Sequence, residues 1–239
     1  MPLTRSLRVR GPFAGRAPGQ LPSFALTVDV RDQRDLRVAV TSTGRQLFIA
    51  LRGKPFVAPG STLRALARRY AQASAGAASA SGPSGGMRID PRRWVLAPHT
   101  QDSVRVDGSS AVHIVGGLDL VRFLMDADRV IPAGGTLGRQ SSGVAPSALT
   151  GTQQAALARS LSSSRVDVYA GRDDHLLRVL RATAVVNVPL DARAILGGLS
   201  AATLTFELAF SDVNRPQVIV APGHPRPAGG LLRALRAPG

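Results

Sequence analysis

No cysteine occurs among the 239 residues. Disulfides, thiolate zinc sites and cysteine nucleophiles are excluded, and the redox compartment is left open. Aromatic residues make up only 4%, with one Trp and two Tyr, so platforms for stacking sugars or nucleobases have little to be built from. There is no run of about 18 apolar residues, hence no transmembrane helix is expected. Residues Met1 to Phe13 are basic but lack the apolar stretch of about 7 to 15 residues that marks a secretory signal. Lysine is nearly missing too: of 30 basic residues only Lys54 is a lysine.

What is present is apolar and basic. With 44% hydrophobic residues the chain has enough apolar surface for a substantial core. The formal charge of +15 points in principle to nucleic acid or an anionic surface. The arginines, however, are scattered through every segment, alongside abundant Ala, Gly and Pro. That distribution fits a proteome-wide compositional bias better than a dedicated nucleic-acid surface, and nucleic acid is not the favoured partner.

Period-two alternation dominates the first half, as expected of strands with one buried face. Phe24, Leu26, Val28 and Val30 alternate with polar or small residues; Leu36, Val38 and Val40 follow, then Leu47, Ile49 and Leu51. The period then changes. Ser61 is a suitable N-cap for a helix presenting Leu63, Leu66, Ala67 and Tyr70 on one face, fading into an Ala/Ser/Gly loop at about 73–86. Pro91 to Trp94 predicts a short helical turn anchored by Trp94. Strands are expected at 103–106 and 110–115, joined through Asp107-Gly108, then a helix from Leu118 to Val130. A second loop covers about 134–147. Thr150 and Gln153 have capping-box spacing for a third helix through Leu161. Further strands are expected at 166–168, at 176–188 after a turn at Gly171 to Asp174, at 203–210, and at 217–220 before a C-terminal tail over about 222–239.

About nine strands or more, interrupted by three helices that do not alternate with them, predict one α+β domain over 1–239. The architecture is a large curved antiparallel sheet, an unclosed half-barrel with three α-helices covering its concave face.

Chemistry is sparse. His99, His113, His175 and His224 are not at metal-ligand spacing, and His113 lies in an apolar strand where a hydrogen-bonded cross-strand role is expected. Asp173-Asp174-His175 follows Gly171 at a hairpin tip and is read as a turn. No Gly-rich stretch has the order needed to cradle phosphate. No enzyme activity, metal or cofactor is expected.

Several stretches taken together resemble a known group. They include Leu7-Arg8-Val9-Arg10-Gly11-Pro12-Phe13, Leu21-Pro22-Ser23-Phe24, Leu51-Arg52-Gly53-Lys54-Pro55-Phe56-Val57, Asp90-Pro91-Arg92-Arg93-Trp94 and Phe210-Ser211-Asp212-Val213-Asn214-Arg215-Pro216. In this order the chain resembles actinobacterial envelope proteins of uncharacterised role and, through them, the LppX/LprG lipoprotein family and the LolA/LolB-like carriers. The resemblance implies a half-barrel plugged by helices, with an apolar cavity that takes acyl chains, and an extracytoplasmic location in the cell envelope. Members carry a signal peptide before the first strand. None is seen here, which implies a truncated N-terminus; a genuine start would imply the cytoplasm.

The expected function is therefore a monomeric, non-catalytic carrier or binding module for a lipid or acylated ligand. Its cavity lining is expected from Phe24, Leu26, Val28, Leu36, Val38, Val40, Leu47, Ile49, Leu66, Tyr70, Val121, Met125, Val168, Leu204, Phe206 and Leu208. Aliphatic walls discriminate chains poorly. Headgroup choice would then fall to a rim of Arg64, Arg68, Arg69, Arg122 and Arg129, favouring anionic phospholipid and peripheral membrane association. Two other classes stay open: a structural, interaction or sensor module of the envelope with a filled core, and, more remotely, a basic nucleic-acid-binding protein.

Overall fold

The computed structural model describes residues 2–14, 21–31, 35–68, 91–130, 149–213 and 217–231. Their strands are β1 (Pro2–Ala14), β2 (Ser23–Arg31), β3 (Leu36–Thr43), β4 (Leu47–Leu51), β5 (Lys54–Val57), β6 (Val95–Val106), β7 (Ser109–Leu118), β8 (Leu161–Gly171), β9 (Leu177–Asn187) and β10 (Ala201–Ser211). They form one ten-stranded sheet in the order β5-β4-β3-β2-β1-β10-β9-β8-β7-β6. Two meanders are thus laid side by side. Each is antiparallel throughout, as period-two hairpins require, and they join where β1 runs parallel to β10. The sheet is therefore mixed at this one seam, a departure from the expected all-antiparallel pairing. Parallel pairing needs a long connection, and here nearly the whole chain lies between the two partners.

Helical segments accompany this unclosed half-barrel. Residues 60–68 form α1, with Leu63, Leu66 and Ala67 half-buried and Arg64 and Arg68 exposed, as the spacing predicted. Pro91–Trp94 is a 3-10 turn; α2 is Leu120–Val130 and α3 is Gly151–Ser160. The capping box at α3 is complete: Thr150 Oγ1 accepts from the Gln153 N–H, and Gln153 Oε1 accepts from the Thr150 N–H. This satisfies two of the N–H groups that every helix start leaves unpaired.

The main core lies between the 3-10 turn, α2 and α3 on one side and β7–β10 on the other. Trp94, Phe123, Leu157, Val166, Leu180 and Val186 are all buried there, and Trp94 meets Phe123 edge to face at 5.3 Å. Burying each such side chain contributes about 1.5–3 kcal/mol. A second, smaller core joins Val38, Leu51 and Phe56 to Leu231. Residues 226–231 build it by returning to β5: the Val57 N–H donates to the Arg226 carbonyl and the Arg226 N–H donates to the Pro55 carbonyl, both at 2.9 Å.

The strand expected at 217–220 is absent from the sheet. Alternation specifies which side chains share a face, but not whether a partner strand lies alongside. The segment is instead tethered by Gln217, whose Nε2 donates to the carbonyls of Phe13 and Asp212, and Val218 and Val220 are exposed.

Candidate functional site: the open centre of the inner face

Cross-strand register brings one apolar residue from each of eight strands into a single row on the helix-bearing face. In order across the sheet these are Leu51, Val38, Val28, Val9, Leu208, Leu180, Val168 and Ile114, each directly opposite the next. Burial along the row is uneven. Leu51, Val38, Leu180 and Val168 are buried, whereas Val28, Val9 and Leu208 between them, and Ile114 at the end of the row, are only half-buried, Val28 and Leu208 packing on the edges of the two cores. The two cores thus fill the flanks, and the centre of the face, over β2, β1 and β10, is less covered.

Aromatic rings close one end of this central stretch. Phe13 stacks parallel to Phe24 with ring centroids 6.4 Å apart and leans on Phe210 at 5.4 Å. On the side toward β9, Phe206 meets Phe123 of α2 at 5.3 Å. Arg5 stands on the same face, opposite Leu204, near the other end. An elongated apolar surface with a cation toward one end is chemically suited to an amphiphile.

The structure places the expected lining residues as follows. Phe24, Leu26, Val28, Leu36, Val38, Val40, Leu47 and Ile49 share the inner face of β2–β4, in register with one another. Leu204, Phe206, Leu208 and Val168 share the same face farther along. Val38, Leu47 and Val168 are buried and belong to filled core. Val121 packs on the main core, and Met125 and Leu66 are half-buried. Tyr70 lies outside the described residues. Of the expected rim, Arg64, Arg68 and Arg122 are exposed on their helices; Arg69 and the side chain of Arg129 lie outside the described residues. Sequence reasoning missed Leu7, Val9 and Phe13 of β1. Their signal was present as alternation from Leu3 to Phe13, but Arg5 interrupts it on the apolar side and Arg8 and Arg10 made the segment look merely basic.

A polar concavity of about 210 Å³ lies at the strand ends, walled by Ser109, Ser110, Arg172, Asp173, Asp174 and Arg178. Arg178 is buried, donating to Asp174 Oδ2 at 2.6 Å and to the Leu176 carbonyl at 3.2 Å. Gly171 makes room for that pair, since a Cβ there would sit 2.2 Å from Asp174 Oδ1. The Asp173-Asp174-His175 segment is a turn, as its sequence predicted, with His175 at φ 56°.

The outer face carries the opposite chemistry. A row offset by one residue in each strand reads Arg37, Asp29, Arg8, Glu207, Arg181 and Asp167, alternating in sign across six strands. Glu207 is bracketed by Arg8 and Arg181, each at 3.2 Å, and Asp29 by Arg37 and Arg10. The Arg37 hydrogen bond holds the Asp29 carboxyl below its ordinary pKa, and Arg165 followed by His113 does the same for Asp167. His113 is buried, stacked on Tyr169 at 4.3 Å, with Nε2 2.8 Å from Asp167 and Nδ1 2.9 Å from Gln101. Its expected cross-strand role is what the structure shows. Among the described residues no group of three or more His, Asp or Glu is arranged to hold a metal ion, and no helix is long and apolar enough to cross a membrane.

No protein-family model matches the chain, and no curated protein matches it. Solved structures similar to it include the lipoprotein LppX of Mycobacterium tuberculosis, at 13% identity over 91% of this chain and 90% of that one, with a TM-score of 0.33. LprF of Mycobacterium bovis is similar at 10% identity over 92% and 90%, with a TM-score of 0.35.

Proposed function

We propose that the protein is a non-catalytic, extracytoplasmic module that binds a lipid or acylated ligand along the open centre of its inner face. The observation that carries this reading is the uneven burial of the apolar row, filled at Leu51–Val38 and Leu180–Val168 but half-buried at Val28, Val9 and Leu208. A sheet serving only as scaffold gains by filling such a stretch. Each methylene that a ligand brings there contributes about 0.8 kcal/mol when it leaves water, so a chain of ordinary length supplies ample driving force. Aliphatic walls set no preference among chains, which leaves selectivity to polar groups at the ends and to the exposed Arg64, Arg68 and Arg122.

The test is uptake of a fluorescent fatty acid by delipidated protein, with native mass spectrometry of the sample as purified. Binding is expected, and Val9→Gln with Leu208→Gln is expected to abolish it while the circular dichroism spectrum is retained. No uptake by the wild type, or equal uptake by the double variant, would turn the reading to a structural module with a filled core.

A further inference from the structure

The outer face has a feature that neither the acyl reading nor the alternating row absorbs. Ser6, Arg8 and Arg10 of β1, Asp29 and Arg31 of β2, and Arg37 of β3 enclose a small concavity of about 60 Å³. Register explains how they meet. Ser6 lies opposite Arg31, Arg8 opposite Asp29 and Asp29 opposite Arg37, so every side chain projects from the same side of three adjacent strands.

Four guanidinium groups thus surround Asp29. Asp29 lies low, with its side chain 16% exposed, whereas those of Arg10 and Arg37 above it are 49% and 70% exposed. Asp29 is engaged by Arg10 and Arg37, and Arg8 meets Glu207 through Nε. Arg31 is exposed and has no ion-pair partner among the described residues. With Asp29 and the Glu207 that pairs with Arg8 both counted, the site has a net charge of two positive units, with Asp29 on the floor and the cations at the mouth. Like charges this close repel, and the missing counter-charge is that of an anion with several acceptor oxygens. A guanidinium offers five N–H donors in a planar fork that matches such oxygens two at a time. Ser6 adds a hydroxyl donor.

We propose that Arg8, Arg10, Arg31 and Arg37, with Ser6, form a binding site for a phosphate-type oxyanion on the face opposite the acyl surface. Asp29 is its organiser: it holds Arg10 and Arg37 upright without reaching the mouth. This site is independent of lipid binding on the inner face, and either can stand without the other.

The chemistry is shared by free phosphate-bearing ions and by phospholipid headgroups, so the experiment has two arms. In the first, arginine Nε–Hε resonances are followed by NMR as inorganic phosphate is added, with chloride at matched ionic strength as reference. Saturable shifts are expected at Arg8, Arg31 and Arg37. Arg31→Gln breaks no described ion pair, so its fold is retained, and it is expected to weaken phosphate binding about tenfold. Arg165→Gln, farther along the same face, is expected to leave it unchanged. In the second arm, flotation compares vesicles of phosphatidic acid in phosphatidylcholine with phosphatidylcholine alone. Flotation with the acidic vesicles that Arg31→Gln removes assigns the site to a headgroup, and phosphate binding without flotation assigns it to a free ion. Shifts reproduced by chloride, or an Arg31→Gln variant with wild-type phosphate affinity, overturn the proposal.

Discussion

Gly11 is the residue on which the seam between β1 and β2 depends. Its φ is +145°, and a Cβ built on it lies 2.1 Å from the Ala25 carbonyl oxygen, 3.1 Å from the Ala25 carbonyl carbon and 3.2 Å from the Leu26 Cα. All three are backbone atoms, so no side chain can rotate away. Gly11→Ala therefore carries two costs. The first is an L-residue in a conformation that belongs to glycine, about 1–3 kcal/mol. The second is the opening of the seam until that contact clears 3.0 Å, which weakens the neighbouring ladder bonds at about 0.5–1.5 kcal/mol each. With two bonds affected, the loss is about 2–6 kcal/mol, against a total stability of about 5–15 kcal/mol for a domain. Gly53→Ala is the control, because Gly53 also has positive φ, +74°, but nothing lies within 4 Å of its Cβ position. Its expected cost is about 1–2 kcal/mol. Equilibrium urea unfolding followed by circular dichroism and by Trp94 fluorescence measures both. Equal losses for the two variants would refute the close approach of β1 to β2.

Acid should weaken the fold through Asp29 and Asp167, whose folded pKa values lie below the unfolded value of about 3.9. Their contribution is complete above that value and is lost as pH falls through the folded pKa; Asp167→Asn should flatten the pH dependence of stability in that window, and an unchanged slope would count against the Arg165 and His113 bonds. Thr150→Ala removes the hydroxyl that accepts from Gln153 and should cost about 1 kcal/mol, with Thr150→Ser restoring it; a loss indistinguishable from zero in urea unfolding would mean that the cap is not formed in solution. Trp94→Ala empties a site 5% exposed against Phe123 and should cost about 3–5 kcal/mol, read as an earlier urea midpoint; a change under about 1 kcal/mol would show that this helical turn is not part of the core.

Local chemistry was the part of this fold most legible in the sequence. Thr150 and Gln153 announce the start of α3 because both halves of the capping box lie within four residues. Asp107-Gly108 announces the β6–β7 turn because positive φ is needed there, and the structure has φ 49° and 76° at the pair. Face assignment for β2, β3, β4 and β10 was equally legible, since it needs only the period. What could not be seen was pairing across distance. Nothing in residues 2–14 says that they lie beside residues 201–211, or that the two run parallel. For the same reason Val218 and Ile219 looked like a strand, and Arg226 to Leu231 gave no sign of returning to β5. The inner surface was therefore anticipated strand by strand, while its centre, built on β1, was missed.

The two rows across the sheet explain why this register holds without a disulfide. The apolar row uses Val38, Val28, Val9, Leu208, Leu180 and Val168; the charged row uses Arg37, Asp29, Arg8, Glu207, Arg181 and Asp167, the adjacent residue in every strand. Slippage of one strand by one residue would carry a guanidinium or carboxylate into the apolar face and an aliphatic residue out of it. A slip of two would keep the faces but break the charge pairing; at β1 it would place Arg8 beside Thr205 or Ala209 rather than Glu207. Both rows cross the parallel seam, where no hairpin turn sets the alignment of β1 with β10. The Arg8–Glu207 contact on the outer side, and on the inner side Leu7 opposite Phe206 and Phe13 against Phe210 as well as Val9 opposite Leu208, therefore share in fixing it. That division has a consequence for function. Because the charged face shares in holding the register, Val28, Val9 and Leu208 need not be packed to the density of a core for the central strands to stay aligned. A half-buried apolar centre is thereby compatible with an ordered sheet.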